Sequence, residues 1–299
     1  MHGFARPAVR PGGERWAGPA VIGGLLSAVP WVQLCGWGVV AEGWPPLPGH
    51  GGWRRRRVVL GSVWRKNDSM CGRFSLYTAG SEIAARYFPG SPVAGDTPAS
   101  FNITPGRPIT VVRSGAAEKV RLDASLWGFR PHWAAADAPR PINIRAEKAA
   151  TSPYFRSAFA HRRCLVPANG WFEWRRSTHG KQPYYLTLKE AEAGEVVFFA
   201  GLWEPVREEE TCCAILTEPV APAFAFIHDR QPVVLDPDCR WHWLDSGLSD
   251  RETLRRLARR LDPGRLVAYP VSTRVNRPEN DDPSLLDPID ETRPGNPPG

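Results

Sequence analysis

Hydrophobic residues between positions 70 and 299 are grouped in short runs that have the length and composition of β-strands. The runs are rich in Val, Ile, Leu, Phe and Tyr, and glycines, prolines or polar residues separate them. They predict six strands, over residues 109–112, 121–129, 184–188, 196–203, 213–217 and 233–235.

Two segments show the helical spacing of apolar residues instead. In residues 81–88 the apolar side chains fall on one face, and Ser81 is the candidate N-cap. The capping box formed by Ser249 and Glu252 precedes leucines at helical spacing and predicts a second helix. We expect the Asp-Pro-Gly sequence at 262–264 to end that helix.

Strands therefore outnumber helices, and neither a G-x-G-x-x-G sequence nor a P-loop occurs. This argues against a doubly wound nucleotide-binding fold. We predict an α+β fold with a single domain over residues 70–280, in which a few helices flank a curved, barrel-like mixed or antiparallel β-sheet. Residues 281–299 are rich in Pro and Asp and are predicted to form a frayed tail.

Residues 1–69 have a different composition. They contain six of the 13 Trp and 13 of the 28 Gly, so that no helical or strand period persists. The uncharged stretch 20–41 includes Pro30 and Gln33, which argues against a signal peptide or a membrane span. We favour translation from a start codon placed too early, so that this segment is not native. A disordered or cleaved leader and a targeting or membrane element are the open alternatives.

The formal net charge of +7 comes mostly from the same segment. Residues 1–69 hold nine Lys and Arg against three acidic residues, whereas residues 70–299 hold 29 basic and 28 acidic residues. The main body is therefore nearly neutral, and any anion-binding surface in it must be a local cluster of arginines.

The six cysteines form no C-x-x-C pair and match neither a zinc site nor a secreted disulfide framework. This pattern is typical of a reduced, cytosolic protein with scattered buried thiols. We expect no metal and no other cofactor.

The sequence Met-Cys-Gly-Arg-Phe at 70–74 resembles the beginning of a protein. If translation starts at Met70, a Met aminopeptidase would remove it, because Cys has a small side chain, and Cys71 would be first. A terminal Cys carries an α-amine with a pKa of about 7.7–8.0 and a thiol with a pKa of about 8.5. With an aldehyde, the amine forms a Schiff base and the thiol closes a thiazolidine ring. The alternative is a structural cysteine.

Other candidates lie in polar stretches beside Trp and Pro. Aromatic residues flank Glu173 in "GWFEW", which predicts a raised pKa and a role in proton transfer. His228 in "IHDR" has a pKa suited to the same work. Asn143 and Arg145 alternate in the strand-like "INIR" and would share one face. The structural alternatives are a paired rim charge for Glu173, a satisfied histidine for His228 and a solvated sheet edge for "INIR".

Residues suited to nucleic acid lie close to these groups. Arg73, Arg145 and Arg230 are each within two residues of a candidate reactive group, and guanidinium groups suit phosphate oxygens. Four tryptophans could stack on unpaired bases, although we expect at least two of them to lie in the core. They are Trp127, Trp133, Trp171 and Trp174.

Seven motifs, taken in order, resemble those of the SRAP family (SOS response-associated peptidase, also called abasic-site processing proteins). The resemblance covers nearly all of residues 70–299 and nothing before Met70. The motifs are "MCGRF", "FNITP", "WGFRPHW", "INIRAE", "CLVPANGWFEW", "IHDRQPVVL" and "YPVSTRVN".

The resemblance implies a protein that covalently traps abasic sites in single-stranded DNA, with lyase and autopeptidase activity as well. It implies that Cys71 is the nucleophile, which forms a thiazolidine with the ring-opened sugar. It also implies that Asn143 orients the sugar or the cysteine and that Glu173 shuttles protons. His228 would help to open the sugar ring and to reverse the link.

The same resemblance implies two groups of DNA-binding residues. Arg73, Arg145 and Arg230 would contact the DNA backbone. Asn102, Pro105 and Trp133 would shape the DNA channel and the wedge beside the lesion.

The segment before Met70 departs from the family pattern, because Cys71 has no free amine while that segment is attached. The chemistry requires either translation from Met70 or cleavage of the Met70–Cys71 bond. We expect a monomeric, bacterial, cytoplasmic and nucleoid-associated protein with no membrane partner. Its expected partner is single-stranded DNA that contains abasic sites, and replication-fork proteins are further candidates.

Two other hypotheses remain open. The sequence "MCG" also opens amidotransferases of the N-terminal-nucleophile class, in which a terminal Cys hydrolyses glutamine. The chain could alternatively be a non-enzymatic module that binds single-stranded DNA and in which Cys71 is structural.

Overall fold

The computed structural model describes residues 72–114, 120–178, 180–207 and 210–290. The strands within them are β1 (Phe74–Leu76), β2 (Ser100–Ile103), β3 (Pro108–Ser114), β4 (Val120–Trp127), β5 (Asn143–Arg145), β6 (Arg163–Ala168), β7 (Gly170–Ser177), β8 (Gly180–Leu188), β9 (Val197–Pro205), β10 (Thr211–Pro219), β11 (Arg230–Pro232), β12 (Val234–Leu235) and β13 (Leu266–Pro270). The α-helices within them are α1 (Gly80–Tyr87), α2 (Ala146–Ala149), α3 (Arg156–His161), α4 (Arg240–Leu244) and α5 (Arg251–Leu257).

Five strands close into a barrel. The pairing runs from β10 through β4, β3, β6 and β9, and β9 pairs back onto β10. The β10–β4 pair is parallel and the other four pairs are antiparallel. Closure removes the free edges that an open sheet would present. The expected α+β fold with a barrel-like mixed sheet is confirmed.

A second sheet, with the order β13-β8-β7-β1-β2, packs against the barrel. Four aromatic side chains join the two sheets. The Phe74 ring of β1 makes edge contacts with Trp127 at 5.2 Å and Phe199 at 6.1 Å, and the Trp171 ring of β7 lies 5.7 Å from that of Phe199. All four side chains are almost fully buried. Edge-to-face packing of this kind therefore fixes the second sheet on the barrel.

The two helix starts predicted from the sequence need correction. The first helix, α1, has Ala79 rather than Ser81 as its N-cap, and the backbone N–H of Gly80 donates to the Asp96 carboxylate at 3.0 Å. A side chain from a loop 16 residues further along the chain thus replaces the local cap. The N-cap of α5 is Asp250, whose carboxylate accepts from the backbone N–H of Thr253 at 2.7 Å.

The predicted end of this last helix is also wrong. It ends at Leu257, before the Asp-Pro-Gly sequence, which forms a separate 3-10 turn over Pro263–Arg265. The Asp262 carboxylate accepts from the backbone N–H of Gly264 and stabilises this turn.

Residues 281–290 are ordered, in contrast to the frayed tail predicted from residue 281. The Asp281 carboxylate accepts from the Ser100 hydroxyl at 2.9 Å and from the backbone N–H of Phe101. Leu285, in the 3-10 turn Pro283–Leu286, is fully buried. One apolar side chain and one carboxylate therefore anchor a segment whose composition suggested disorder. Residues 291–299 lie outside the described residues.

Candidate active-site cleft

The start of β1 lies beside the middle of β7. Phe74 is opposite Trp171 in the antiparallel ladder, and the backbone N–H of Phe172 donates to the carbonyl of Arg73 at 3.0 Å. The hydrogen bond places Arg73 opposite Phe172, and continuing the same register by one more residue would place Gly72 opposite Glu173. Cys71 itself, the predicted nucleophile, lies outside the described residues and is joined to Gly72 by a peptide bond.

Glu173 is a buried carboxyl group in the interior of a sheet, with only 3% of the residue exposed. Phe172 and Trp174 are its neighbours on β7, as the sequence suggested, and Tyr184 is its cross-strand partner on β8. The Tyr184 ring packs edge-on against Phe226 at 5.6 Å, two residues before His228. Glu173 is thereby connected through one cross-strand pair to the loop that carries the candidate histidine.

Asn143 and Arg145 lie on one face of β5, as expected. Ile144 between them is buried, whereas Asn143 is half-buried and Arg145 is exposed. The strand pairs in parallel with β10, so that Thr217 is opposite Arg145. The sheet therefore holds both side chains at fixed positions.

An open cleft of about 490 Å³ lies next to these elements. Its lining brings Arg145 and His228 together with two further charged side chains and three apolar ones. The lining residues are Arg145, Trp174, Arg176, Phe226, Ile227, His228 and Asp229. Aromatic faces beside guanidinium groups are the combination that suits a single nucleic-acid strand.

Arg176 and Phe226 were not predicted as site residues. Arg176 could have been found from the sequence, because it lies two positions after Trp174 in the strand and so shares its face. Phe226 lies in an irregular loop, and its place in the cleft depends on long-range packing against Tyr184 that no local pattern indicates.

His228 has two partners at the same ring nitrogen. The backbone N–H of Arg230 donates to Nδ1 at 3.1 Å, and a carboxylate oxygen of Asp229 lies 3.0 Å from Nδ1. A backbone N–H can only donate, so in the neutral ring Nδ1 is the acceptor and Nε2 carries the proton.

Arg230 is buried, which differs from the exposed backbone contact expected of it. Its guanidinium forms two parallel bonds to Glu147, each 2.9 Å long, and also donates to the carbonyl of Thr217 at 2.6 Å. Only 9% of the Arg230 side chain is exposed. Among the three candidate arginines, Arg145 is the exposed one.

Arg73 and Asn102 together hold the segment that follows β13. Arg73 donates to the Asn102 side-chain oxygen at 2.9 Å and to the carbonyl of Val275. The Asn102 amide donates in turn to three carbonyls of this segment, those of Val275, Arg277 and Asn280. Burial lowers the pKa of the Arg73 guanidinium, and the nearby Glu279 partly opposes this effect. Both candidates therefore shape one wall of the site.

That wall is connected directly to the cleft. The indole N–H of Trp174 donates to the side-chain oxygen of Asn276 at 2.8 Å. Arg73 also reaches the carbonyl of Asn276, at 3.4 Å. The start of β1, the cleft tryptophan and the C-terminal segment are thus joined by hydrogen bonds.

Trp133 projects from the long loop after β4, with 57% of the residue exposed. Its ring contacts Tyr154 edge-on at 5.7 Å. Nδ1 of the neighbouring His132 donates to the buried carboxylate of Glu204 at 2.8 Å, and this carboxylate also accepts from Arg162. These contacts fix an exposed aromatic side chain in place.

Pro105 is half-buried in the turn between β2 and β3. The next residue, Gly106, has φ of 80°, a backbone conformation that favours glycine, and its N–H donates to the carbonyl of Trp127 at 2.9 Å. Trp127 and Trp171 belong to the core, which confirms the expectation that at least two of the four tryptophans are structural.

Four cysteines in the described part of the chain are buried and free: Cys164, Cys212, Cys213 and Cys239. Burial raises the pKa of the Cys213 thiol to about 12, so that this thiol stays protonated at neutral pH. Among the described residues, no group of three or more His, Cys, Asp and Glu is arranged to hold a metal ion. No helix in the same residues is long and apolar enough to cross a membrane.

The barrel and the cleft define an α+β protein in which Arg145, Trp174 and His228 line one cleft, and in which Trp174 and Arg73 both bond to Asn276. Comparison with known proteins identifies the class. The family described as SOS response associated peptidase (SRAP) matches residues 70–278. The chain belongs to this family.

Three comparisons illustrate the relationship. Abasic site processing protein YoaM of Bacillus subtilis is 33% identical over 231 residues, which cover 73% of this chain and 98% of the relative. Abasic site processing protein YedK of Escherichia coli is 30% identical over 231 residues, covering 74% of this chain and 100% of the relative. A solved structure from Bacteroides thetaiotaomicron is similar in fold, with a TM-score of 0.63, 22% identity and coverage of 73% of this chain and 100% of that one.

Proposed function

We propose that this protein processes abasic sites in single-stranded DNA by forming a covalent link through Cys71. The observation that carries the proposal is the pairing of β1 with β7, in which Phe74 is opposite Trp171 and the Phe172 N–H donates to the Arg73 carbonyl. Continued toward the start of β1, this register would set Gly72 opposite the buried Glu173. A nucleophile joined to Gly72 would lie near a carboxyl group that can move protons. The names of the relatives support the same substrate class.

The chemistry balances without a cofactor. The α-amine of Cys71 attacks the aldehyde of the ring-opened sugar, and the carbonyl oxygen leaves as water to give a Schiff base. The thiolate then adds to the imine carbon, and the nitrogen takes up a proton to complete the thiazolidine. Glu173 would transfer the protons of the first step, and His228 would assist ring opening of the sugar and reversal of the link.

The cleft fits a single nucleic-acid strand. Arg145 is exposed and would pair with a phosphate, and Trp174 lies beside it with an aromatic face for an unpaired base. Trp133 would act as the wedge beside the lesion. Asn143, on the same face as Arg145, would orient the sugar.

The proposal requires that the peptide bond before Cys71 be absent, because a Schiff base needs a free α-amine. We infer that the active form begins at Cys71, either through translation from Met70 or through cleavage that the domain performs on itself. Lyase activity would follow from the same Schiff base, by elimination of the 3′ phosphate. Such a protein would act in the bacterial cytoplasm, on exposed single strands of the nucleoid.

The test compares protein that begins at Cys71 with the 299-residue chain. Each is incubated with single-stranded DNA that contains one abasic site and is then analysed on a denaturing gel. We expect a heat-stable adduct from the first protein, none from its Cys71→Ala variant, and none from the long chain unless it is cleaved. Reversible binding without an adduct would favour the non-enzymatic hypothesis, and glutaminase activity would favour the amidotransferase.

A further inference from the structure

Glu147, in the first turn of α2, has no role in the function described so far. Its carboxylate accepts two parallel hydrogen bonds from Arg230, from Nη1 to Oε1 and from Nη2 to Oε2, each 2.9 Å long. The hydrogen bond from Arg230 lowers the pKa of the Glu147 carboxyl, which is therefore ionised at neutral pH. The bidentate geometry is the strongest form of this interaction and fixes the plane of the guanidinium.

The exposures of the two partners differ. Half of the Glu147 side chain is exposed, whereas Arg230 is 9% exposed. On its inner side, the guanidinium donates to the carbonyl of Thr217 at 2.6 Å and lies 3.4 Å from the hydroxyl of the same residue. Without Glu147, a buried positive charge would keep only these neutral acceptors, and such a charge is strongly unfavourable. The Arg230 side chain would then turn toward water.

The backbone of Arg230 is the element that sets the state of His228. Its N–H donates to Nδ1 of the imidazole at 3.1 Å, an arrangement that requires the proton of the neutral ring to be on Nε2. The exposed Asp229 carboxylate, 3.0 Å from the same nitrogen, would favour a proton on Nδ1, so the Arg230 N–H is the contact that opposes it. Arg230 is the first residue of β11, where it is opposite Pro219 of β10, and Asp229 alone separates it from His228. A shift of this strand end would therefore move the donor away from the ring. Arg230 therefore makes both contacts: its side chain is held by Glu147, and its backbone N–H bonds to His228.

We propose that Glu147 is a positioning residue for His228, and that it acts through Arg230 by holding the backbone N–H that selects the Nε2–H tautomer. In this state the ring has a proton to give at Nε2, and Nδ1 is occupied. The kinetic consequence rests on the proposed function, in which His228 acts on the sugar. The selection of the tautomer does not depend on the proposed function.

The chain offers a matched control. Glu218 forms a comparable ion pair with Arg260, at 2.9 Å, and lines the same cavity of about 310 Å³ as Glu147. No described contact joins that pair to His228. Glu218 accepts one bond from a more exposed arginine instead of two from a buried one. Neutralising it therefore removes an ion pair from the same cavity and should leave the histidine undisturbed.

The first experiment records the ¹⁵N signals of His228 in the full chain, labelled at histidine, at a pH where the ring is neutral. We expect the Nε2–H tautomer to predominate in the wild-type protein and in Glu218→Gln, and a mixture of tautomers in Glu147→Gln. Glu147→Asp keeps the charge and should restore the wild-type signals at least in part. It also provides the test if Glu147→Gln does not fold. Wild-type signals in Glu147→Gln, or equal disturbance in Glu218→Gln, would overturn the proposal.

The second experiment measures adduct formation and reversal with protein that begins at Cys71. We expect Glu147→Gln to slow reversal by about tenfold, with little change in DNA affinity. This is less than the roughly 10²–10⁴-fold that loss of a general acid or base costs, because His228 is displaced and not removed. In a Glu147→Gln, His228→Ala double variant the two effects should not add, because they act through one group. Additive effects would contradict the proposal. If the wild-type protein forms no adduct, the proposed function fails while the tautomer experiment still decides the positioning role.

Discussion

At the scale of single residues, the site combines groups of different accessibility. Glu173 is buried in the sheet, Arg230 is buried in an ion pair, and Arg145 and Trp133 are exposed. Buried groups can transfer protons or orient neighbouring side chains, whereas exposed groups are accessible to a nucleic-acid strand. In the proposed function, the buried residues would carry the chemistry and the exposed ones would contact the DNA.

The proton-transfer role of Glu173 predicts a specific kinetic defect. Glu173→Gln preserves the shape of the side chain but removes its ability to take up a proton, and we expect adduct formation to slow by about 10²–10⁴-fold. The rate is measured by quantitative denaturing gels under single-turnover conditions. Glu218→Gln is the control and should react at the wild-type rate. An unchanged rate in Glu173→Gln would exclude the proposed role.

The exposed position of Trp133 predicts a binding defect without a folding defect. We expect Trp133→Ala to weaken binding of abasic DNA by about 1–3 kcal/mol, the value of stacking on one base, and to leave thermal unfolding nearly unchanged. Fluorescence anisotropy and calorimetry measure the two quantities. Trp241, which is also exposed, supplies the matched control, and Trp241→Ala should bind normally. Equal loss of affinity in both variants would count against the wedge.

At the scale of elements, the sequence indicated several strands because their hydrophobic runs are continuous. The six predicted runs correspond to strands β3, β4, β8, β9, β10 and β12. The three-residue β1 was not predicted, since so short a run has no measurable period. Yet β1 carries the start of the site. The sequence motifs identified the candidate site residues. Pairing between strands far apart in sequence determines which of these residues lie close together.

The helix caps and the C-terminal segment were missed for a related reason. Asp96 caps α1 from a distant loop, and Asp281 holds the segment after residue 280 onto β2. Each partner is remote in sequence, so local composition could not indicate it. The Pro- and Asp-rich composition suggested that the segment from residue 281 is frayed, but the buried side chain of Leu285 anchors it.

That anchor predicts a measurable loss of stability. Leu285 is fully buried beside Phe172 and Val275, and we expect Leu285→Ala to lower the free energy of unfolding by about 2–5 kcal/mol. Urea denaturation followed by circular dichroism measures this change. Leu286 is only partly buried, so that Leu286→Ala should cost clearly less. Equal and small effects would mean that the segment does not contribute to the core.

At the scale of the whole molecule, the proposed DNA binding would have to come from local charge. Residues 70–299 are nearly neutral, with 29 basic and 28 acidic residues, so that no global field attracts DNA. Binding should therefore involve few phosphates and little sequence preference. The rigid barrel supplies a fixed support on which these few contacts can act together.

Salt dependence tests whether the binding charge is local. Each phosphate contact to a single strand adds about 0.7 to the magnitude of the slope of log K against log salt concentration. We expect Arg145→Gln to reduce that magnitude by about this amount, whereas Arg255→Gln, on exposed α5, should leave it unchanged. A slope that does not respond to Arg145→Gln would place the DNA elsewhere.

The proposed mechanism depends on a thiazolidine between a terminal Cys71 and an abasic site. Intact mass spectrometry of the adduct, without any reducing agent, is the decisive measurement. A thiazolidine predicts an adduct that survives denaturation without reduction, has a mass equal to protein plus DNA minus one water, and maps to Cys71. The isomeric Schiff base has the same mass but hydrolyses unless it is reduced. An adduct that appears only after borohydride reduction, or one that maps to another residue, would contradict the mechanism.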